Sequence, residues 1–370
     1  MSTLNVEAIS HPTSGSLVTI NGTAPSNRNK IINGDMRIDQ RNAGAAVTSS
    51  TAYPVDRWIN YGATDGTYTG QQSTDVPTGQ GFSNSLKYTV TTADATIGAT
   101  QYASIGQRIE GYNTADLMLG TANAKQFTVS FWVKSSVAGT YGFALQNTAG
   151  DRGYATTYSI ASTDTWEYKT LVITGDTTST WLSDNSIGLR TTWGLGIGST
   201  YTVSANNTWE TGIKFGAVGA TNLMATLNAT FYITGVQLEA GTVATPFEHR
   251  SYGDELARCQ RYYYRHADGV SGAGSVGVGA YYQEQRIFAG IHFPVQMRVS
   301  PTLDASDFTN AYSALRNGAS EYFAGFNGLQ AGGKQTVIIE SDSTLSGTAG
   351  QAGWIQTNNS NTQISFNSEL

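Results

Sequence analysis

Cysteine is almost missing from this chain of 370 residues, where Cys259 stands alone. A single thiol excludes an intrachain disulfide framework and any cysteine-rich metal site, so stability has to come from packing and from subunit association. Charge is also scarce: 13% of residues carry it, with 27 acidic against 21 basic side chains and a net charge of −6. No block of Lys and Arg is long enough to neutralise a run of phosphates, which argues against nucleic-acid binding. No apolar run approaches the roughly 18 residues that span a bilayer. The opening MSTLNVEAIS has no basic stretch followed by an apolar one, so neither membrane insertion nor export by the usual signal is expected. The four histidines, His11, His249, His266 and His292, fall outside any HExxH or HxH spacing, and no metalloenzyme is indicated.

What the chain does have is 42 glycines, 20 tyrosines, abundant Thr, Ser and Asn, and 39% hydrophobic residues. That hydrophobic share builds real cores at this length, and the neutral, hydroxyl-rich remainder suits β-sandwiches with many turns. No repeat of 20 to 50 residues is apparent, which argues against a β-helix spike or a propeller.

Four regions follow along the chain. Residues 1–28 mix short alternations with breakers such as HPTSG and APSN, which fits an extended arm or a frayed tail. Residues 29–248 carry short strands. In FTVSFWVKS, Phe127, Val129, Phe131 and Val133 share one face while Thr128, Ser130, Trp132 and Lys134 share the other, the period of a half-buried antiparallel strand. In TFYITGVQLEA, Phe231 and Ile233 have one parity and Val236 and Leu238 the other, so the inward face survives only with a bulge near Thr234–Gly235. About eight to ten such strands predict a jelly-roll β-sandwich. Residues 249–266 predict a linking helix, because Tyr252, Leu256, Cys259 and Tyr263 recur at spacings of 4, 3 and 4. That seam packs on its own subunit or meets copies of itself around a symmetry axis, and the spacing leaves both open. Residues 267–370 return to alternation at Ile287, Ala289, Ile291, Phe293, Val295, Met297 and Val299, with Pro294 marking an edge or a bend, and predict a smaller C-terminal β-sandwich. The expected fold class is therefore all-β.

Reactive chemistry is hard to find. There is no G-x-S-x-G elbow, since AGSVG at 273–277 lacks the first glycine, and GLGIG at 194–198 is followed by no Lys-Ser/Thr pair. Asp35 with Asp39, or Asp304 with Asp307, read more readily as turn acids than as a glycosidase pair. No cofactor is expected; calcium stays unassigned, because carboxylates and carbonyls can hold it without fixed spacing. The chain is not expected to be an enzyme.

Sugar binding needs less machinery, an aromatic face for the apolar side of a pyranose with polar side chains for its hydroxyls. Trp132 is the leading candidate because its parity puts an indole on the polar face of its strand, where the alternative is cover by a loop, the helix or another subunit. Tyr281, Tyr282 and Tyr322 form either a distal recognition surface or part of the C-terminal core. Trp193 alternates with Gly194, Gly196 and Gly198 and reads as core, with the bare glycine strip behind it forming a groove or a site of close backbone approach.

Three stretches carry a family resemblance. MSTLNVEAI followed by IINGDMRIDQRN and YPVDRW, the junction FYITGVQLEAGTVATPFEHRSYGDELARCQRYYYR, and FPVQMRVSPTL resemble tail-fibre and related structural proteins of tailed, marine or cyanobacterial-type bacteriophages. The 29–248 region resembles the carbohydrate-binding-module-like sandwiches of such proteins. The resemblance implies a virion fibre, tail rather than head, forming a homotrimer. Its arm would attach to a tail or head adaptor protein through Leu4, Val6 and Ile9, and its 267–370 tip would bind a host polysaccharide or lipopolysaccharide. Two rivals remain at this stage: a head-decoration or tail component that binds only virion proteins, and a glycan-degrading tailspike.

Overall fold

The alternating segments pair into antiparallel sheets throughout the residues that the computed structural model describes, 27–48, 51–269, 273–342 and 345–370. Leu4, Val6 and Ile9 lie outside the described residues. Two units separate in the chain, one reaching to Ser251 and including Leu370, the other Tyr252–Glu369.

The first unit is a jelly-roll sandwich. Its strands, among the described residues, are β1 (Val47–Thr48), β2 (Ile59–Ala63), β3 (Thr67–Ser73), β4 (Ser85–Thr92), β5 (Tyr102–Glu110), β6 (Phe127–Ser135), β7 (Gly139–Gln146), β8 (Arg152–Ile160), β9 (Glu167–Ile173), β10 (Ile187–Ile197), β11 (Thr208–Thr211) and β12 (Thr230–Ala240). One sheet runs β1-β3-β4-β12-β6-β9 and the other β11-β8-β7-β10-β5-β2. Phe127, Val129, Phe131 and Val133 of β6 all turn inward and are fully buried, each such side chain contributing about 1.5–3 kcal/mol relative to exposure. Trp193 of β10 sits at the centre, 4.8 Å from Phe143, 5.4 Å from Trp58 and 5.6 Å from Phe131 between ring centroids.

The bulge that the sequence demanded in β12 is present. Thr234 pairs with Trp132 and Gln237 with Ser130, so two residues of β12 face one of β6, and Phe231, Ile233, Val236 and Leu238 are all buried. Gly235 has φ +61°, and a Cβ there would come within 2.5 Å of the Phe82 ring. Both backbone and space therefore require glycine.

The motifs that carried the resemblance prove to be architectural. Asn29 accepts from the Ile31 and Leu238 amides and donates to the Val236 carbonyl. Asn33 clasps both the amide and the carbonyl of Ile38 and donates to the Asp56 carbonyl; the Trp58 indole donates to the Asn33 carbonyl. Asp56 accepts from the Gln40 amide. Together these bonds tie the buried side chains of Asn29 and Asn33 to β12 and to the 55–58 turn.

The second unit contains α1 (Tyr252–Gln260) and the strands β13 (Tyr263–Asp268), β14 (Ser275–Gln283), β15 (Arg286–His292), β16 (Thr302–Ala305), β17 (Tyr312–Arg316), β18 (Ala319–Phe323), β19 (Phe326–Gly332), β20 (Thr336–Ser341), β21 (Ala352–Thr357) and β22 (Gln363–Asn367). A three-stranded sheet, β13-β22-β16, and a seven-stranded sheet, β18-β17-β21-β14-β15-β20-β19, share one apolar core containing Ile287, Ile291, Tyr312, Ile355 and Phe366. The alternation from Ile287 stops short at His292, because Pro294 cannot continue the ladder.

Two expectations for the helix need correction. It covers 252–260 rather than 249–266, and Tyr263 opens β13, paired with Asn367. The Tyr262–Tyr264 run prefers a strand, so the seam ends at Cys259. Within it, Tyr252 is exposed, Leu256 half-buried and Cys259 fully buried; the four residues do not make one covered stripe.

Candidate functional site

Parity along three neighbouring strands builds a cleft on the outer face of the second sheet of the first unit. Ala103 and Ile105 of β5, Trp193 of β10, and Phe143 and Leu145 of β7 point into the core. The alternate residues therefore point outward: Tyr102, Ser104, Gly106 and Arg108; Arg190 and Thr192; Ala144 and Gln146. Pairing aligns them in rows. Gln146, Arg190 and Arg108 form one row, and Ala144, Thr192 and Gly106 the next. Of the second row, Thr192 lines the cleft while Ala144 is covered in a cluster with Val203 and Ala217, and Gly106 must stay small, since a Cβ there would lie 2.1 Å from the Thr191 carbonyl oxygen.

Aromatic rings wall this cleft. Tyr201 stacks on Phe215 with centroids 4.7 Å apart and planes at 20°, and Tyr102 meets both edge-on at 5.4 and 5.2 Å. Tyr61, paired with Ser104, stands on the opposite side. Its hydroxyl accepts a 2.7 Å bond from Nε of Arg108. The enclosed volume is about 380 Å³, within the usual range for small-molecule sites.

The floor is polar and under-satisfied. Oγ of Ser104, Nε2 of Gln146 and Nε of Arg190 are buried without a hydrogen-bond partner in the protein, although Gln146 is only 5% exposed. Each such group costs about 1–3 kcal/mol, and three in one cleft mark it as a place built for an external polar partner. Burial pulls the Arg190 pKa down; Tyr61 opposes this and the like charge of Arg108 adds to it. Among the described residues lining the cleft there is no Asp or Glu.

The residues singled out from sequence lie elsewhere. Trp132 is half-buried on the outer face of the first sheet, tilted against Tyr168 at 5.4 Å. Phe82, Phe247 and His249 line a second hollow of about 550 Å³ together with Trp132. Tyr281 is a correction: it is fully buried and its hydroxyl donates to Glu321, because β14 turns its odd-numbered end inward. Tyr282, 71% exposed and stacked on Phe288, and Tyr322, 49% exposed, do reach the surface. Trp354, cross-strand from the exposed Val278, joins them on the outer face of the seven-stranded sheet; the alternation of GWIQT was the signal that could have found it. The glycines after Trp193 are sites of close approach: a Cβ on Gly196 would lie 2.6 Å from Oδ1 of Asn222, and one on Gly198, just beyond β10, 2.2 Å from the Gly98 carbonyl oxygen. Asp35 pairs with Arg37 at 2.8 Å, and Asp39 accepts from the Asn42 and Gly44 amides, as turn acids do. Among the described residues no group of three His, Cys, Asp or Glu side chains is placed to hold a metal ion.

Reasoning from sequence missed the cleft itself. YASIGQRIE carries the signal, a Tyr and an Arg on the face opposite Ala103 and Ile105, but the row with Arg190 and Gln146 exists only once β10 lies between β5 and β7.

No family model matches the chain, and neither does any curated protein. Among solved structures, the enzymatically active domain of tailspike protein 4 of bacteriophage CBA120 is 14% identical with a TM-score of 0.30, over 58% of this chain; the chain spans 21% of that one. A family 11 carbohydrate-binding module from Clostridium thermocellum, in complex with a β-1,3-1,4-mixed-linked tetrasaccharide, is 13% identical over 55% of this chain and 100% of its own, with a TM-score of 0.28. The CBM22-1 xylan-binding domain from Paenibacillus barcinonensis is 12% identical over 55% of this chain and 99% of its own, with a TM-score of 0.27.

Proposed function

We propose that the chain is a non-catalytic glycan-binding protein and that the sugar lies in the cleft between Tyr61, Tyr102 and Tyr201. The observation that carries this reading is the combination of an aromatic wall with buried, unpartnered polar atoms on the floor. Rings cover the apolar face of a pyranose, while Ser104, Gln146 and Arg190 supply bonds that hydroxyls can complete. The lining has hydrogen-bonding groups but no carboxylate to act as general acid or nucleophile, which favours holding a glycan over cleaving it.

Substituting Tyr102 or Tyr201 by alanine should weaken oligosaccharide binding about tenfold or more, the loss expected when one stacking face worth roughly 1.5 kcal/mol is removed. Isothermal titration checks this, with Trp132→Ala as comparator. If Trp132→Ala abolishes binding and the tyrosine variants do not, the site belongs to the hollow on the opposite sheet.

The setting we infer is a phage fibre that attaches the virion to its host, supported by the resemblance of the NGD, YPVDRW and junction motifs. A single shallow sugar site typically holds near millimolar, about −4 kcal/mol, and joining sites in a homotrimer raises avidity by roughly 10² to 10⁴. Light scattering should return about three times the chain mass of 39.4 kDa; a value near the single-chain mass removes the trimer and its avidity.

A further inference from the structure

Building on the glycan reading of the cleft, we propose that its ligand is an anionic glycan, whose acidic substituent is held by Arg190 and Arg108 with Gln146 beside them. The juxtaposition comes from the strand register. Arg190 of β10 and Arg108 of β5 are direct cross-strand partners, and Gln146 of β7 is the partner of Arg190 on its other side. Like charges placed directly opposite one another destabilise a sheet, so two adjacent arginines call for a counter-charge. The lining supplies no Asp or Glu; Arg108 is bonded through Nη1 to the main-chain oxygen of Leu370, and Arg190 makes its one side-chain bond to a backbone carbonyl.

The bonds these arginines do make leave donors over. Arg108 gives Nε to the Tyr61 hydroxyl and Nη1 to the main-chain oxygen of Leu370, the last residue of the sequence, with no bond from Nη2. Arg190 reaches the Thr148 carbonyl through Nη2 at 3.3 Å, while its Nε is buried with no partner. Nε2 of Gln146 is a second buried donor without an acceptor. A floor whose unmet groups are chiefly donors complements an acceptor-only group, and a guanidinium fork fits the paired oxygens of a carboxylate, sulfate or phosphate. The cleft also reverses the sign of the molecule around it. In a chain with net charge −6, an acid-free hollow bearing two arginines concentrates positive potential where a ligand enters.

The test uses the full chain on an array of neutral, hexuronate-bearing, sulfated and phosphorylated oligosaccharides, followed by titration with the strongest ligand. Binding confined to acidic glycans is expected, and the arm that responds identifies carboxylate, sulfate or phosphate as the group held. Arg190→Gln should weaken that ligand tenfold or more, Arg190→Lys should retain part of the affinity, and circular dichroism verifies that both variants fold. If either variant fails to fold, the array with the wild-type protein still decides. Neutral glycans bound as tightly as acidic ones, or acidic binding untouched by Arg190→Gln, overturns the anionic assignment and leaves the glycan reading standing. No response on any arm overturns both.

Discussion

Replacing Trp193 by alanine should destabilise the first unit by about 3–5 kcal/mol, close to the whole stability of many domains. The indole is fully buried between the two sheets and touches Trp58, Phe131 and Phe143, so it joins β10 to β6 across the sandwich and to β7 within its own sheet. Alanine would leave a cavity that three rigid aromatic neighbours cannot close, and the lost transfer energy adds to the lost contacts. Thermal unfolding followed by tryptophan fluorescence and circular dichroism should show a melting temperature lowered by many degrees or no cooperative transition at all. The cleft would be lost with it, because Arg190 and Thr192 lie on the same strand. A drop under about 1 kcal/mol would mean that the sheets do not depend on this ring.

The second large effect concerns acid. Glu248 accepts from the amides of Asn27 and Asn29, at 2.5 and 2.8 Å, and its own amide donates to Gln237. Burial works to raise its pKa, but those two bonds and the charges of Arg250 and Arg28 outweigh it, and the carboxyl is held below its ordinary value of 4.5. A depressed carboxyl adds stability that is fully present above that ordinary value and is lost as pH falls through the lower folded one. Asp56 works in the opposite sense. Burial, only partly opposed by Arg41 and Gln40, pushes it up to about 6, so its contribution is present in acid and is lost as pH rises through 6. Glu248→Gln should therefore cost about 2–3 kcal/mol at neutral pH, in the range of bonds to a charged acceptor. Its melting curve should converge on that of the wild type as pH falls through the lowered folded value, below which both are uncharged at this position. Denaturant unfolding across pH 3–8 measures the difference between the two proteins, in which the Asp56 contribution cancels. A gap that stays constant with pH would show that Glu248 acts by shape and not by charge.

The elements that the sequence foretold were those governed by local period. In β6 alternation identified the apolar residues that face the core, although Thr128, Ser130 and Lys134 on the other face are buried as well, and in β12 the break in parity at Thr234–Gly235 required the bulge that pairing with Trp132 and Ser130 displays. The helix failed at its end for a related reason: the 4-3-4 spacing through Tyr263 was compatible with a helix, but Tyr263 and Tyr264 pair in the ladder with β22. Aromatic candidates divided in the same way. Tyr281 and Tyr282 are neighbours in sequence and lie on opposite faces of β14, so only knowledge of which face meets the core separates platform from packing.

Composition and period by themselves determined that this chain is all-β, rich in turns and bulged at Gly235, because each of those properties depends on residues close together along the chain. Tertiary structure alone decided that Gln146, Arg190 and Arg108 form one row beside a wall of Tyr102, Tyr201 and Phe215. That row depends on which strands become neighbours, and strands 40 to 80 residues apart in sequence are brought side by side by the closure of the core behind them, not by any spacing on the face where the ligand would lie.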